Sequence, residues 1–377
     1  MNDGRARFGT TQDLARHSAA AVLCAATCFG LPVVVATVRA ESTIALCRDP
    51  APGDAAVGAF CTGLDKDESG DKAGALADFE RAAALQPEMP EPHLMLGIAY
   101  ADEQDYVRAI REYDLYLAAV PENPAAWSNR AHAYFKLGDL AAARADIDRA
   151  AQLAPDERTI IENRIVIARQ SADWPTVVSD ASHLLEQFPN DAALRLERGK
   201  ALANLDAFES AREDFDRAVV LSPSAEAYYF RGRIHYELGR DDAAIYDFSK
   251  AIELDAELVD AYRRRAFAEY RQQRYLGAAQ DCAEYARLRP EDGEGYYCRG
   301  IMLSRAGDQD AAIADYRRAI ELAQSPSMAG NAWYGVGLCH ERAQRMTEAI
   351  AAYRKAVELY PDQAQARAAL ERLTKPK

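Results

Sequence analysis

The phrases that decide the fold are ADFERAAAL at 77–85, ADIDRAAQL at 145–153 and EDFDRAVVL at 213–221, continued as YDFSKAIEL at 246–254, ADYRRAIEL at 314–322 and AAYRKAVEL at 351–359. A proline often follows two residues later, and Pro87, Pro121, Pro155, Pro189 and Pro223 stand 34 residues apart. Upstream of each phrase or its variant a small residue sits in another apolar helical pattern: Gly63, Gly97, Ala131, Gly199, Gly232, Ala266, Gly300 and Gly337. Each repeat therefore reads as two short amphipathic helices around a turn, with Leu-Gly-Asp at 137–139 and Leu-Gly-Arg at 238–240 as examples. Two helices joined by a tight turn pack closely only where a side chain is small, and proline ends the second helix. The aromatic within each phrase (Phe79, Phe215, Phe248, Tyr316, Tyr353, with Tyr113 in a variant) is expected to fill the space toward the next pair.

This pattern resembles the tetratricopeptide repeat family. The resemblance covers nine repeats, 56–89, 90–123, 124–157, 158–191, 192–224, 225–258, 259–292, 293–329 and 330–363, with a closing helix in 364–373. It implies an all-α, right-handed superhelix, an α-solenoid of two-helix repeats with a C-terminal capping helix. The near-constant repeat length predicts one continuous array. Its weak place is repeat four, where Ile165, Val177 and Leu184 replace small residues and the helices should pack less closely.

The ends read differently. Arg5, Arg7, Arg16 and His17 precede a run without charge from Ser18 to Val38, broken by Gly30 and Pro32, with small residues at Ala36 and Ala40. Residues 1–40 are expected to be a signal peptide or a membrane anchor, with a cytosolic extension as the remaining reading, and 41–55 a linker. Export is the expectation, to the periplasm or the exterior. Beyond the leader lie Cys47, Cys61, Cys282, Cys298 and Cys339. In an oxidising compartment Cys47 and Cys61 would close a short loop, whereas the other three read as small buried residues.

Composition limits the function. The 377 residues carry 59 acidic against 45 basic side chains, a net charge of −14, which disfavours nucleic acid as a partner. Mean hydropathy of −0.33 excludes a polytopic membrane protein, so a membrane would be met only through the N-terminal segment. Asp146-Ile147-Asp148 and Asp214-Phe215-Asp216 mimic a metal motif but read as a solvated helix face, and Gly335-Val336-Gly337 follows no strand. The six histidines are scattered. Neither a metal, a cofactor nor catalysis is expected.

Function is then expected in a groove. The resemblance implies that first helices line the concave side. Asn129 and Asn163, at one position of repeats three and four, would begin an asparagine ladder for peptide backbone. Repeats six to eight offer Tyr229, Phe230, Arg233, Tyr236, Arg263, Arg264, Phe267, Tyr270, Arg271, Tyr297 and Arg305, and repeat nine adds Tyr334, Leu338 and Arg342. Aromatic and arginine side chains in one trough are the composition of binding hot spots; the alternative is that the aromatics pack between repeats and the arginines pair with neighbouring acids. The expected function is a non-catalytic scaffold that binds an acidic and apolar polypeptide segment in envelope assembly or secretion. The alternative is a regulatory or carrier subunit of an envelope enzyme such as a polysaccharide-synthesising glycosyltransferase.

Overall fold

A computed structural model describes Cys47 and residues 54–375; the leader and most of the 41–55 stretch lie outside the described residues. The described chain is helical throughout. Nine antiparallel helix pairs follow one another: α1 (Ala55–Ser69) and α2 (Lys72–Leu85), α3 (Pro90–Asp102) and α4 (Tyr106–Ala119), α5 (Pro124–Lys136) and α6 (Leu140–Leu153), α7 (Arg158–Gln170) and α8 (Trp174–Gln187), α9 (Ala192–Asn204) and α10 (Phe208–Leu221), α11 (Ala225–Glu237) and α12 (Asp241–Leu254), α13 (Val259–Arg271) and α14 (Tyr275–Leu288), α15 (Gly293–Ala306) and α16 (Gln309–Glu321), α17 (Pro326–Arg342) and α18 (Met346–Leu359). A single helix, α19 (Ala364–Thr374), closes the series. The architecture is an α-solenoid. Where one continuous array is expected, the chain divides at Pro189/Asn190 into two compact halves, and the boundary falls at the end of repeat four.

Local chemistry fixes the pairs. Asp71, Asp105, Asp139, Asp173 and Asp308 each cap a second helix, their carboxylates accepting from backbone N–H groups of its first turn. Each of the nine turns passes through one left-handed residue. Gly70, Gly138, Gly239 and Gly307 take that place in four repeats, and Gln104, Ala172, Asp206, Gln273 and Gln344 take it in the others. Glycine suits this conformation without steric cost, which the other five bear.

The packing centre of a repeat is the small residue of the first helix and the residue sixteen places later. A Cβ on Gly63, Gly97, Gly199, Gly232, Gly300 or Gly337 would run into the ring of Phe79, Tyr113, Phe215, Phe248, Tyr316 or Tyr353 of the same repeat. The aromatic thus fills its own repeat first. It also reaches the next one, since Phe215 stacks on Phe230 at 5.9 Å and Tyr316 occupies the space beside Gly335. Repeat four inverts the pair, with Ile165 in the first helix and Ala181 in the second, both fully buried. Large and small exchange places, and volume is kept. The backbones of α7 and α8 nevertheless approach less closely than those of other pairs, as its bulky residues lead one to expect.

Beside each packing centre of repeats three to eight lies an ion pair. Arg130, Arg164, Arg198, Arg231, Arg265 and Arg299 grip Asp146, Asp180, Asp214, Asp247, Asp281 and Asp315 through Nε and Nη2, at 2.5–2.8 Å. All six aspartates are buried. Several arginines also reach back to the preceding second helix: Arg130 Nη1 donates to Asp114, Arg231 Nη1 to Asp216 and Arg265 Nη1 to Ser249. This corrects the solvated-face reading of Asp146 and Asp214. Asp148 and Asp216, two residues on, do keep substantial exposure, and Arg144 and Arg212 pair with them.

Candidate functional site: the first-helix face of repeats six to nine

Within the second half, α11, α13, α15 and α17 approach one another in succession, whereas the second helices are not brought together in this way. First helices therefore take the inner side of the curve, and side chains that point away from their partner helix converge there.

The expected groove residues fall into distinct groups. Phe230 is an interrepeat packing ring, stacked on Phe215, and Tyr229 lies edge-on to it at 5.4 Å and 6.0 Å from Phe248. Tyr236 is buried beneath Arg271, whose guanidinium lies 4.5 Å from its ring centre. Arg271 also donates to the Tyr236 carbonyl at 2.9 Å and pairs with Asp241 at 3.2 Å. Arg342 repeats that contact two repeats on, donating to the Ser304 carbonyl at 3.0 Å. Arg305 sits over Tyr270 at 5.8 Å, and Tyr270 meets Tyr275 edge-on at 5.6 Å. Tyr297 and Tyr334 lie half-buried against Tyr316 and Tyr353, and Phe267 is half-buried against Tyr236 and Ala268. So Arg271 and Arg342 join one repeat to the next, and much of the aromatic column is packing with one face left open.

Two guanidiniums are different. Arg233 lies 5.4 Å from the centre of Phe230 and 5.9 Å from that of Tyr229, with no carboxylate of the described residues at ion-pair distance. Burial lowers its affinity for its proton; Tyr229 opposes that shift, the neighbouring Arg264 adds to it, and the carboxylates of Glu237 and Asp260 oppose it from beyond ion-pair distance. Arg264, from the next repeat, has a buried Nε without a hydrogen-bond acceptor. Arg263 beside it is answered by Asp260 at 3.0 Å and lies over Tyr285. The site is thus a pair of neighbouring cations from adjacent repeats, Arg233 against the rings of Phe230 and Tyr229 and Arg264 beside it, with carboxylates of the described residues near but not at ion-pair distance.

Asn129 and Asn163 do not line a groove. Both are buried, and Asn163 Nδ2 donates to Ser128 Oγ at 3.1 Å. They belong to the polar core of repeats three and four. Cys47 and Cys61 are joined by a disulfide, with Cα atoms 5.6 Å apart. Cys282 and Cys298 form a second, 5.7 Å between Cα atoms, which corrects their reading as independent buried thiols. Cys339 is buried and free. Among the described residues no group of three or more His, Cys, Asp or Glu could hold a metal ion.

The profile of the tetratricopeptide repeat matches residues 62–124, 179–225 and 297–364, and related profiles match 96–164 and 232–273. These segments together exceed half of the chain, which belongs to the tetratricopeptide-repeat family. It is a protein-interaction scaffold of that family. Among its relatives, a DnaJ homolog subfamily C member 7 homolog of Schizosaccharomyces pombe is 25% identical over 280 residues, 63% of this chain and 57% of that protein. A protein SGT1 homolog of Oryza sativa subsp. japonica is 41% identical over 82 residues, 22% of each. The chain thus spans only part of the length of both relatives. Among solved structures, YrrB, described as a TPR protein with an unusual peptide-binding site, is 22% identical, with a TM-score of 0.45, covering 50% of this chain and 96% of that one.

Proposed function

We propose that the first-helix face of repeats six to nine receives a polypeptide segment with acidic and apolar side chains, and that the protein serves this partner outside the cytoplasm without a catalytic step of its own. The observation that carries this reading is the Arg233–Arg264 pair, two neighbouring cations with no carboxylate of the described residues at ion-pair distance, in a chain of net charge −14. An incoming carboxylate would meet a guanidinium already desolvated, and the open faces of Tyr229 and Phe267 would cover apolar area next to it. Because the helices are preformed, the groove itself orders little on binding. The acidic remainder of the surface repels such a segment and leaves this face as its place to dock.

Export is supported by the basic start, the uncharged run at 18–38 and the two disulfides. Envelope assembly or secretion is the setting that fits an exported scaffold. Selection of a random displayed-peptide library on the oxidised protein tests the binding reading. Sequences rich in Asp or Glu beside apolar residues should emerge on the native protein and be lost on R233E/R264E. The same peptides emerging on both proteins would sink it.

A further inference from the structure

Arg271, Arg305 and Arg342 stand at one place in repeats seven, eight and nine, five residues after the small residue of the first helix (Ile165 in repeat four). Each turns back to the residue four places after the corresponding position of the preceding repeat: Arg271 to Tyr236, Arg305 to Tyr270 and Arg342 to Ser304. In repeats one to six that place holds Glu68, Asp102, Lys136, Gln170, Asn204 and Glu237, none of them arginine. The arginines are thus confined to the three junctions within the groove face. Arg271 has the fullest seat. Its Nη1 donates to the Tyr236 carbonyl at 2.9 Å, its guanidinium lies 4.5 Å from the Tyr236 ring centre, and its Nε pairs with Asp241 at 3.2 Å. Gly239, the left-handed residue of that turn, leaves room beside it, since a Cβ there would stand 3.5 Å from Arg271 Nη2. All of these partners belong to repeat six, whereas Arg271 ends α13 of repeat seven. A cation over the carboxyl end of α11 also meets the negative end of that helix's dipole. Asp241 gains in turn, because burial raises its pKa and the charge of Arg271 opposes the rise.

We propose that Arg271 is the positioning residue of the groove, seated in the turn of repeat six so that α13 holds Arg264 beside Arg233. Arg264 and Arg271 are seven residues apart, about two turns of one helix, and so project from similar sides of α13. Bringing α13 toward α11 sets two like charges near one another, and the charge of Arg264 already disfavours the proton on Arg233. The seat offsets that repulsion about 10 Å further along the helix. There the same approach brings Arg271 to a carboxylate, a carbonyl and a ring. Arg271 is engaged by these contacts and is not offered to a partner segment, so its effect on binding passes through Arg264. The proposal rests on the groove reading for its consequence in binding; the seat and its hold on α13 stand on the geometry.

Two measurements on the full oxidised chain test it. The first needs no ligand: hydrogen exchange compares the native protein with R271M, which keeps an unbranched apolar stem, and with D241N, which alters the seat from repeat six. Amides in the last turn of α13 should exchange at least about threefold faster in both variants, while those of α9 and α17 keep native rates. The second uses a fluorescein-labelled peptide of alternating Leu and Glu as probe. R271M should weaken its binding at least about fivefold in the native background and less than about twofold in R264Q, because a positioning residue acts through the cation it positions. A residue that only stabilises the fold would weaken both backgrounds equally. Native exchange rates in α13 of a folded R271M protein would overturn the proposal, and so would equal losses in the two backgrounds. If R271M does not fold, D241N decides by the same two readouts. A probe that R264Q binds as tightly as the native chain would end the groove reading, and the exchange rates would still decide whether Arg271 holds α13.

Discussion

The ring of Phe215 occupies the volume that a side chain on Gly199 would need: a Cβ there would stand 2.7 Å from Phe215 Cε1. The relation is one of shared volume, because repeat three holds Ala131 with Ile147 at the same places and repeat four reverses it as Ile165 with Ala181. Gly199→Ala should cost about 1–3 kcal/mol, as overpacking does. Combining it with Phe215→Ile should cost less than the sum of the two single changes, by about 1 kcal/mol or more. Urea unfolding of the four proteins measures the coupling. Strict additivity would mean that the two residues do not share the site.

The buried Arg231–Asp247 pair makes a second, independent claim. Asp247→Leu alone leaves Arg231 without its buried partner and should cost about 3 kcal/mol or more. Replacing both, as R231M/D247L, should recover much of that loss, since apolar residues of similar size need no counter-charge. If the double variant is no more stable than the single one, the arginine's link to Asp216 of the preceding repeat matters more than the pair.

His132 supplies a pH dependence. Burial, and then the charge of Lys136, lower its pKa from 6.5 to about 4. Its Nδ1 is buried without a partner, and Tyr106 meets its ring at 6.2 Å. The unfolded chain takes up this proton more readily than the folded one. The stability that His132 contributes is therefore complete above pH 6.5 and is lost as pH falls from there toward 4. Thermal melts should show the native protein losing more Tm than His132→Gln between pH 7 and 4.5. Parallel losses would show that its imidazole titrates normally.

Much of this was legible in advance because a repeat multiplies its own signal. Phrases recurring at a 34-residue period marked the helix pairs, and repeat four announced itself through Ile165, Val177 and Leu184. What stayed hidden depends on long spacing or on context. Asp146 and Asp214 looked solvated because a local motif cannot show an arginine sixteen residues upstream, although that Arg-to-Asp spacing recurs six times. Five of the nine left-handed turns carry no glycine to mark them. Asn129 and Asn163 have the right residue type for a ladder, yet the repeat's own packing claims them. In the groove, residue type could not separate Arg271, held by the Tyr236 carbonyl, from Arg233 and Arg264, for which the described residues supply no such partner.

The binding claim is tested most directly by titrating a fluorescent acidic and apolar peptide, selected on the native protein, against native chain and R233E/R264E at rising salt. The native affinity should fall with salt, because desolvated guanidiniums and carboxylates attract through charge. The double reversal should weaken binding by at least about tenfold, or 1.4 kcal/mol, and remove most of the salt dependence, while helicity and Tm stay as in the native chain. Unchanged affinity in a folded R233E/R264E protein would contradict the assignment and place the partner on another face.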